Sequence, residues 1–549
     1  MTRELILRRY VRGNIIPFVA FLIALIAAVG WAETLGPIQL SEDVRVFFVP
    51  KAVPLSTAQQ NPLIDSPLPV NFSPPVTYDS GGELTRWAAV ADVNGDDKLD
   101  LVVANEQTNT IGVLLGNSDG TFQPVSIYAS GGSDTWSVVV ADLNGDGKQD
   151  LAVANGNAGA GVGTVGVLLG NGDGTFRNVV NYEAAGFLSN AVAIGDLNGD
   201  GKPDLVVADG ASGSVGVLSG KGNGTFNSVV TYPGGGSLTS VLTADVNGDG
   251  KADLVVGSSN QVFNDHSVTL FGTVGILLGN GNGTFQPVVI YRSGGHLRVV
   301  ENGGGGGGPF VSVAVADLNG DGKLDLLASN GLGCFNATCK NFPAGVLLGN
   351  GDGTFQPAVT HASGVFGATA AAIGDVNQDG RPDLLVEGNK VAVLLGNGDG
   401  TFQSATTFRT GGRGAGSIAI ADVNGDGRPD LLAANVQINQ TSFEGSVGVL
   451  LNTRVATKTV VTTSVSPSQF GQPVTFTATV KRFRGTVPDG ELVMFFDGKT
   501  EVGTAVTANG IATFTTSSLT AGTHTVKATY AGDATFKPSS GKVTQVVTP

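Results

Sequence analysis

Apolar residues in this chain fall into short runs of four or five, such as Val138-Val139-Val140-Ala141, Leu151-Ala152-Val153-Ala154 and Val165-Gly166-Val167-Leu168-Leu169. Glycine, asparagine and aspartate separate each run from the next. Runs this short and this continuous predict strands covered on both faces, and the intervening glycines supply the positive φ angles of tight hairpins. A more polar strand follows around Val179 to Tyr182. One unit therefore reads: apolar run, acidic loop, apolar run, variable loop, apolar run, the phrase GNGDGTF, polar strand.

The unit repeats. The phrase typified by ADLNGDGKQD occurs seven times, led by Asp92, Asp142, Asp196, Asp245, Asp317, Asp375 and Asp422, at intervals of 50, 54, 49, 72, 58 and 47 residues. That period is the size of one four-stranded propeller blade. The turn and fourth strand follow only the first six copies, at Phe122, Phe176, Phe226, Phe285, Phe355 and Phe402; after the seventh the chain reads Val447 to Asn452 without them. A strand lacking its blade stands upstream instead, Phe72 to Tyr78 in NFSPPVTYDSGG, matching TFQPVSIYASGG. The expectation is a seven-bladed β-propeller over 71–452, closed by strand 72–78. An open array would need no such exchange, and closure leaves no long bare sheet edge.

Each acidic loop follows D-x-N-x-D-x-x-x-D. The candidate metal ligands are Asp92, Asn94, Asp96 and Asp100 in the first copy, Asp142, Asn144, Asp146 and Asp150 in the second, and Asp196, Asn198, Asp200 and Asp204 in the third. The fourth and fifth supply Asp245, Asn247, Asp249, Asp253 and Asp317, Asn319, Asp321, Asp325. The last two supply Asp375, Asn377, Asp379, Asp383 and Asp422, Asn424, Asp426, Asp430. Three carboxylates, an amide oxygen and one backbone carbonyl, that of Lys148 in the second loop, make an oxygen-only set suited to calcium, up to seven ions in all. Magnesium keeps its waters and zinc prefers nitrogen or sulfur. Three aspartates within nine residues repel one another unless a cation lies between them. The first loop has Asp97 where the others have glycine. The GNGDGTF turns, with Asp173 or Asn223, hold too few carboxylates for a site and read as hairpin turns followed by a packing phenylalanine.

The acidic loops together with GNGDGTF resemble FG-GAP/VCBS repeats, the blade type of integrin α-subunit propellers and of many bacterial exported proteins. The resemblance implies calcium at each blade loop and a binding role, without specifying a ligand. Some polysaccharide lyases share this blade type, so a lyase or hydrolase is the alternative function, and a purely structural envelope protein a third.

From Thr457 the composition shifts to threonine and valine. Alternating stretches such as GELVMFFDG and AGTHTVKATYAG predict about seven antiparallel strands, an Ig-like β-sandwich over 453–549 that resembles bacterial Ig-like repeat domains.

Four arginines precede an apolar stretch, Ile15 to Val29, and the small residues Gly30 and Ala32. Residues 1–32 read as a signal peptide cut after Ala32, the rival reading being an uncleaved membrane anchor; either exports the chain to the bacterial surface or medium. Residues 33–70, rich in proline and alanine, read as a linker. Cys334 and Cys339, the two cysteines, are expected to form a small disulfide loop in an oxidising compartment. The formal charge is −15; without the leader it becomes −18, and seven calcium ions would bring it to −4. Such acidity argues against nucleic acid as partner.

Acidic loops and GNGDGTF turns share one face of the ring by strand alternation, so the loops of variable length share the other. A carbohydrate or a surface protein is the expected partner there, because binding residues concentrate on variable loops of rigid scaffolds. Candidate ligand-binding residues are Trp87, Trp136, His266, His296, Arg298 and Phe335, with Trp87 and Trp136 read as either sugar platforms or packed rim residues. His266 beside Asp265 is the nearest approach to an acid–base pair, and no nucleophile motif accompanies it.

Overall fold

The computed structural model describes residues 70–157, 161–264, 267–300, 309–332, 343–437, 444–482, 485–533 and 535–549. The expected signal peptide, nearly all of the linker, the Cys334–Cys339 pair, His266 and Phe335 lie outside these residues.

Every regular element among them is a strand, and between Val76 and Leu450 the strands form seven four-stranded antiparallel sheets and one two-stranded sheet, Pro309–Phe310 with Gly331–Leu332. The second sheet shows the plan: Thr135–Ala141, Asp150–Asn155, Thr164–Leu168 and Val180–Glu183, paired in sequence order. Its second strand is buried at all six positions, whereas the fourth is mostly exposed. The unbroken apolar runs are therefore the strands flanked by neighbouring sheets, and the polar strand is the outer edge.

The sheets close on themselves. Seven apolar cores each join one sheet to the next, and one of them joins the seventh to the first, packing Leu432, Val447 and Val449 against Val90, Leu101 and Val103. Full burial of each such side chain contributes about 1.5–3 kcal/mol. The first strands of the sheets also touch in cyclic order, Arg413–Ala421 meeting Thr85–Ala91. The seventh sheet takes its outer strand from the N-terminal side: Val76–Glu83 pairs antiparallel with Glu444–Leu450, and Phe72 bridges Asn452. This strand begins and ends some residues later than the sequence phrase 72–78 suggests, because the prolines at 74 and 75 precede the first ladder bond.

An aromatic pair marks every joint. Tyr128 meets Phe176 edge-on at 5.5 Å between ring centroids, and Tyr78–Phe122, Tyr182–Phe226, Tyr232–Phe285 and Tyr291–Phe355 repeat the contact. Phe408 closes the series on Phe72 at 5.0 Å, so the N-terminal segment supplies both the missing strand and the missing phenylalanine. Four of the tyrosine hydroxyls also donate to a turn-glycine carbonyl of the next sheet, at 3.1–3.5 Å. His361 replaces the tyrosine at the sixth joint, against Phe402.

The long segments of the fourth repeat are not loops. Asp253–Asn264 and Ser267–Leu277 form one extended hairpin, and Val289–Val300, with His296 and Arg298, pairs along it. Polar residues alternate there with Val262, Val268 and Leu270, which is a ladder pattern, so His296 and Arg298 stand on a strand opposite Phe271 and Thr269.

The C-terminal part is a two-sheet sandwich. Lys458–Thr463, Val474–Arg482, Gly485–Thr486 and Ile511–Thr516 form one sheet; Ser468–Gln469, Leu492–Asp497, Thr500–Val506, Gly522–Tyr530 and Ser539–Thr548 form the other. Among the described residues nine strands replace the expected seven, two of them only two residues long. Phe476, Phe495, Tyr530 and Phe536 fill the core between the sheets.

Candidate metal loops and the opposite mouth

The last aspartate of each acidic loop is also the first residue of its sheet's second strand, and it is fully buried in all seven copies. Asp150 accepts the Leu143 N–H at 3.0 Å on one oxygen and the Gly170 N–H at 2.7 Å on the other. The same two bonds recur at Asp100, Asp204, Asp253, Asp325, Asp383 and Asp430. Each of these carboxylates thus ties the acidic loop to the turn that leaves the third strand.

The leading aspartate folds the loop around itself. Asp142 accepts N–H groups from Asn144, Gly145 and Asp146 on one oxygen and from Gly147 on the other, while Asn144 accepts from Asp146. Gly147 has φ +81°, and the glycines at this position in five other loops are similarly left-handed. Asp97 holds the same conformation at φ +63° in the first loop. Turns of one sheet dock on the acidic loop of the preceding one, as the Gly224 N–H does on the Leu143 carbonyl. Acidic loops and GNGDGTF turns therefore share a face.

Burial pushes the Asp100, Asp150 and Asp325 carboxyls up to about 6, Asp430 to about 7 and Asp383 to about 8; the two backbone N–H bonds oppose this, and the neighbouring loop carboxylates add to it. Asp204 and Asp253 are raised by the same causes. Among the described residues no group of three or more Asp, Glu, His or Cys side chains is gathered into a metal shell; the loop oxygens face their own backbone N–H groups. The donor chemistry nevertheless fits a hard cation. Each loop holds an oxygen-only set, with two carboxylates close enough to a buried third to disfavour its ionised form.

The sixth loop differs from the rest. Asp375 and Asp379 are both raised by burial there, whereas Asp96 and Asp249 in other loops are lowered: burial raises Asp96, but Lys98 overcomes it, and Lys251 lowers Asp249. Val376, Asn377 and Gln378 of this loop line a small cavity with Arg428, Asn452, Thr453 and Thr535, the last of these from the sandwich.

At the other ends of the first strands, a cavity of about 60 Å³ lies on the ring axis, lined by residues within or just before the first strand of each of the seven four-stranded sheets. β-Bulges fall at four of the lining residues. The register skips Arg86 between Thr85 and Trp87, and it skips Trp136, Asn190 and Thr239 at the matching places. A bulged residue is unpaired in the ladder and turns out of it. Trp136 lies between the Arg86 guanidinium, 4.7 Å from its ring centroid, and Phe310, stacked at 6.2 Å. Arg86 also donates from Nε to Glu106. The indole N–H of Trp136 is buried and meets no hydrogen-bond acceptor.

The two tryptophans singled out in the sequence are thus brought together, while His296 and Arg298 stand on the extended strand of the fourth sheet. Arg86, Phe310 and the polar bulge residues were not legible as site residues. Their only signal is position, six or seven residues before the leading aspartate of an acidic loop.

Family comparison agrees with this architecture. The FG-GAP-like repeat family matches residues 92–153, 142–207, 196–256, 264–328, 343–386 and 387–433, together more than half the chain. A bacterial Ig-like domain (group 3) matches residues 460–548. Comparison with curated proteins found no match. Among solved structures, the crystal structure of the V. cholerae biofilm matrix protein Bap1 is similar over 70% of this chain and 88% of that one, at 13% sequence identity and a TM-score of 0.32.

Proposed function

Because this chain belongs to the FG-GAP-like repeat family, we propose that it is an exported recognition or adhesion protein whose ring is stapled by calcium and whose opposite face binds a carbohydrate or a surface protein. The observation that carries the reading is the division of labour between the two ends. Acidic loops and turns of equal length in every repeat that has one occupy one end, locked by the buried aspartates. The other end carries the long hairpin of the fourth sheet and the axial cavity.

In each loop the leading aspartate, the asparagine, the third-position aspartate and the buried aspartate would hold calcium, as Asp142, Asn144, Asp146 and Asp150 would in the second. The ion would supply positive charge where like charges crowd, and nothing more. Affinities of extracellular modules, ~10⁻⁴ to 10⁻³ M, suit a structural staple in a calcium-rich medium. The Ig-like sandwich reads as a spacer that presents the ring.

The test is a glycan array combined with a reducing-end release assay on the purified chain in calcium. Binding without release is the expected result; release of reducing ends would move the chain to the lyase or hydrolase alternative.

A further inference from the structure

We propose that the axial cavity on the face opposite the acidic loops receives the terminal unit of a neutral saccharide; this rests on the recognition reading above. Its walls combine aromatic rings, Trp87, Trp136 and Phe310, with hydroxyl and amide groups from Asn190, Thr239 and Ser312. Small-molecule sites have this make-up: a mainly apolar, aromatic lining with a few placed polar groups. A pyranose offers a C–H face to rings and oxygens to donors at once.

The Trp136 N–H narrows the choice of ligand. A buried donor without an acceptor is rare in a finished fold and costly to maintain. The Trp136 ring lines this cavity while its buried nitrogen lies beside Gly156, so a ligand oxygen that displaces this side of the wall would satisfy it. Arg86 does not favour an anion. Its charge is paired with Glu106 and lies over the Trp136 ring, and the chain as a whole is at −15. An acidic polysaccharide would meet a neutralised site on a negative protein.

Volume sets how the ligand enters. About 60 Å³ admits the edge of one sugar ring in place of a few waters, not a threaded chain. The ring axis therefore receives an end group, and the remainder of the glycan leaves across the variable face.

The experiment is titration of the full chain, in calcium, with neutral trisaccharides of glucose, galactose, mannose and N-acetylglucosamine, and with uronate-bearing trisaccharides, followed by tryptophan fluorescence and calorimetry. A neutral trisaccharide is expected to bind and perturb the emission of Trp87 and Trp136. Trp136→Phe keeps the ring and removes the N–H, and should weaken binding about tenfold. Ser312→Phe plugs the cavity and should abolish binding while the melting temperature stays within a few degrees. Saccharide binding that survives Ser312→Phe overturns the cavity assignment but leaves the recognition reading intact. Binding of uronate-bearing sugars alone, or of a protein partner alone, overturns the ligand class. No binding of any kind on the array or in titration removes both.

Discussion

His361 occupies a place that tyrosine holds at five of the other joints. Its ring makes the same edge contact with Phe402, but Nε2 is buried without a partner, where four tyrosines reach a glycine carbonyl. Burial holds its pKa below the ordinary 6.5. The unfolded chain therefore takes up the proton first, so stability falls as pH drops through about 6.5 and is intact above it. His361→Tyr should gain about 1 kcal/mol from the restored hydroxyl bond and flatten that part of the pH profile. Melting temperatures at pH 8 and pH 5.5, in saturating calcium, compare the two chains. Glu387 presents the opposite sign. It stands four residues after the buried aspartate, where the other sheets carry Ala104, Ala154, Ala208, Gly257, Ser329 and Ala434, and neither carboxyl oxygen has a partner. Burial alone raises its pKa well above 4.5, so its contribution is best at low pH and is lost as pH rises beyond that value. Glu387→Met should stabilise the chain by about 1–3 kcal/mol at pH 7.5 and by less at pH 5, read by denaturant unfolding.

At the scale of strands, Val76–Glu83 carries the closure. It covers the edge of Glu444–Leu450 and brings Phe72 to Phe408. A chain beginning at Leu84 should lose at least ~10 °C of melting temperature and associate through the bared edge. A synthetic peptide of residues 70–83, added in trans, should restore the monomer and much of the melting temperature; association unaffected by the peptide would assign closure to other contacts. This strand was legible from the sequence because NFSPPVTYDSGG copies the phrase that ends every other repeat. The hairpin of the fourth sheet was not, since an interval of 72 residues with polar insertions reads as loop until Val262, Val268 and Leu270 are seen to share a ladder. The bulges were equally hidden. Nothing in the composition of Thr85-Arg86-Trp87 says which residue the register will skip, yet that skip places Arg86 and Trp136 on the axis. Spacing alone revealed the acidic loops, whereas the double hydrogen bonding of each final aspartate emerges only once the strand ladder fixes the turn beside it.

Over the whole molecule, seven repeated joints share one design: an apolar core between sheets, an edge-on aromatic pair or its His361 variant, and a buried aspartate under a cluster of carboxylates. The first two need no ion, and only the His361 variant among them titrates at or below neutral pH. The third is a liability without a cation, because burial and like charge both work against the ionised form. The central claim is that calcium converts this liability into a staple at each joint. Seven weak sites add up: at a free calcium tenfold above Kd each contributes about 1.4 kcal/mol. The most direct test is the melting temperature of the purified chain at neutral pH, in millimolar calcium and then in excess EDTA, with magnesium constant. The account predicts a fall of at least ~10 °C in EDTA, reversed by added calcium. A melting temperature that does not move would contradict it.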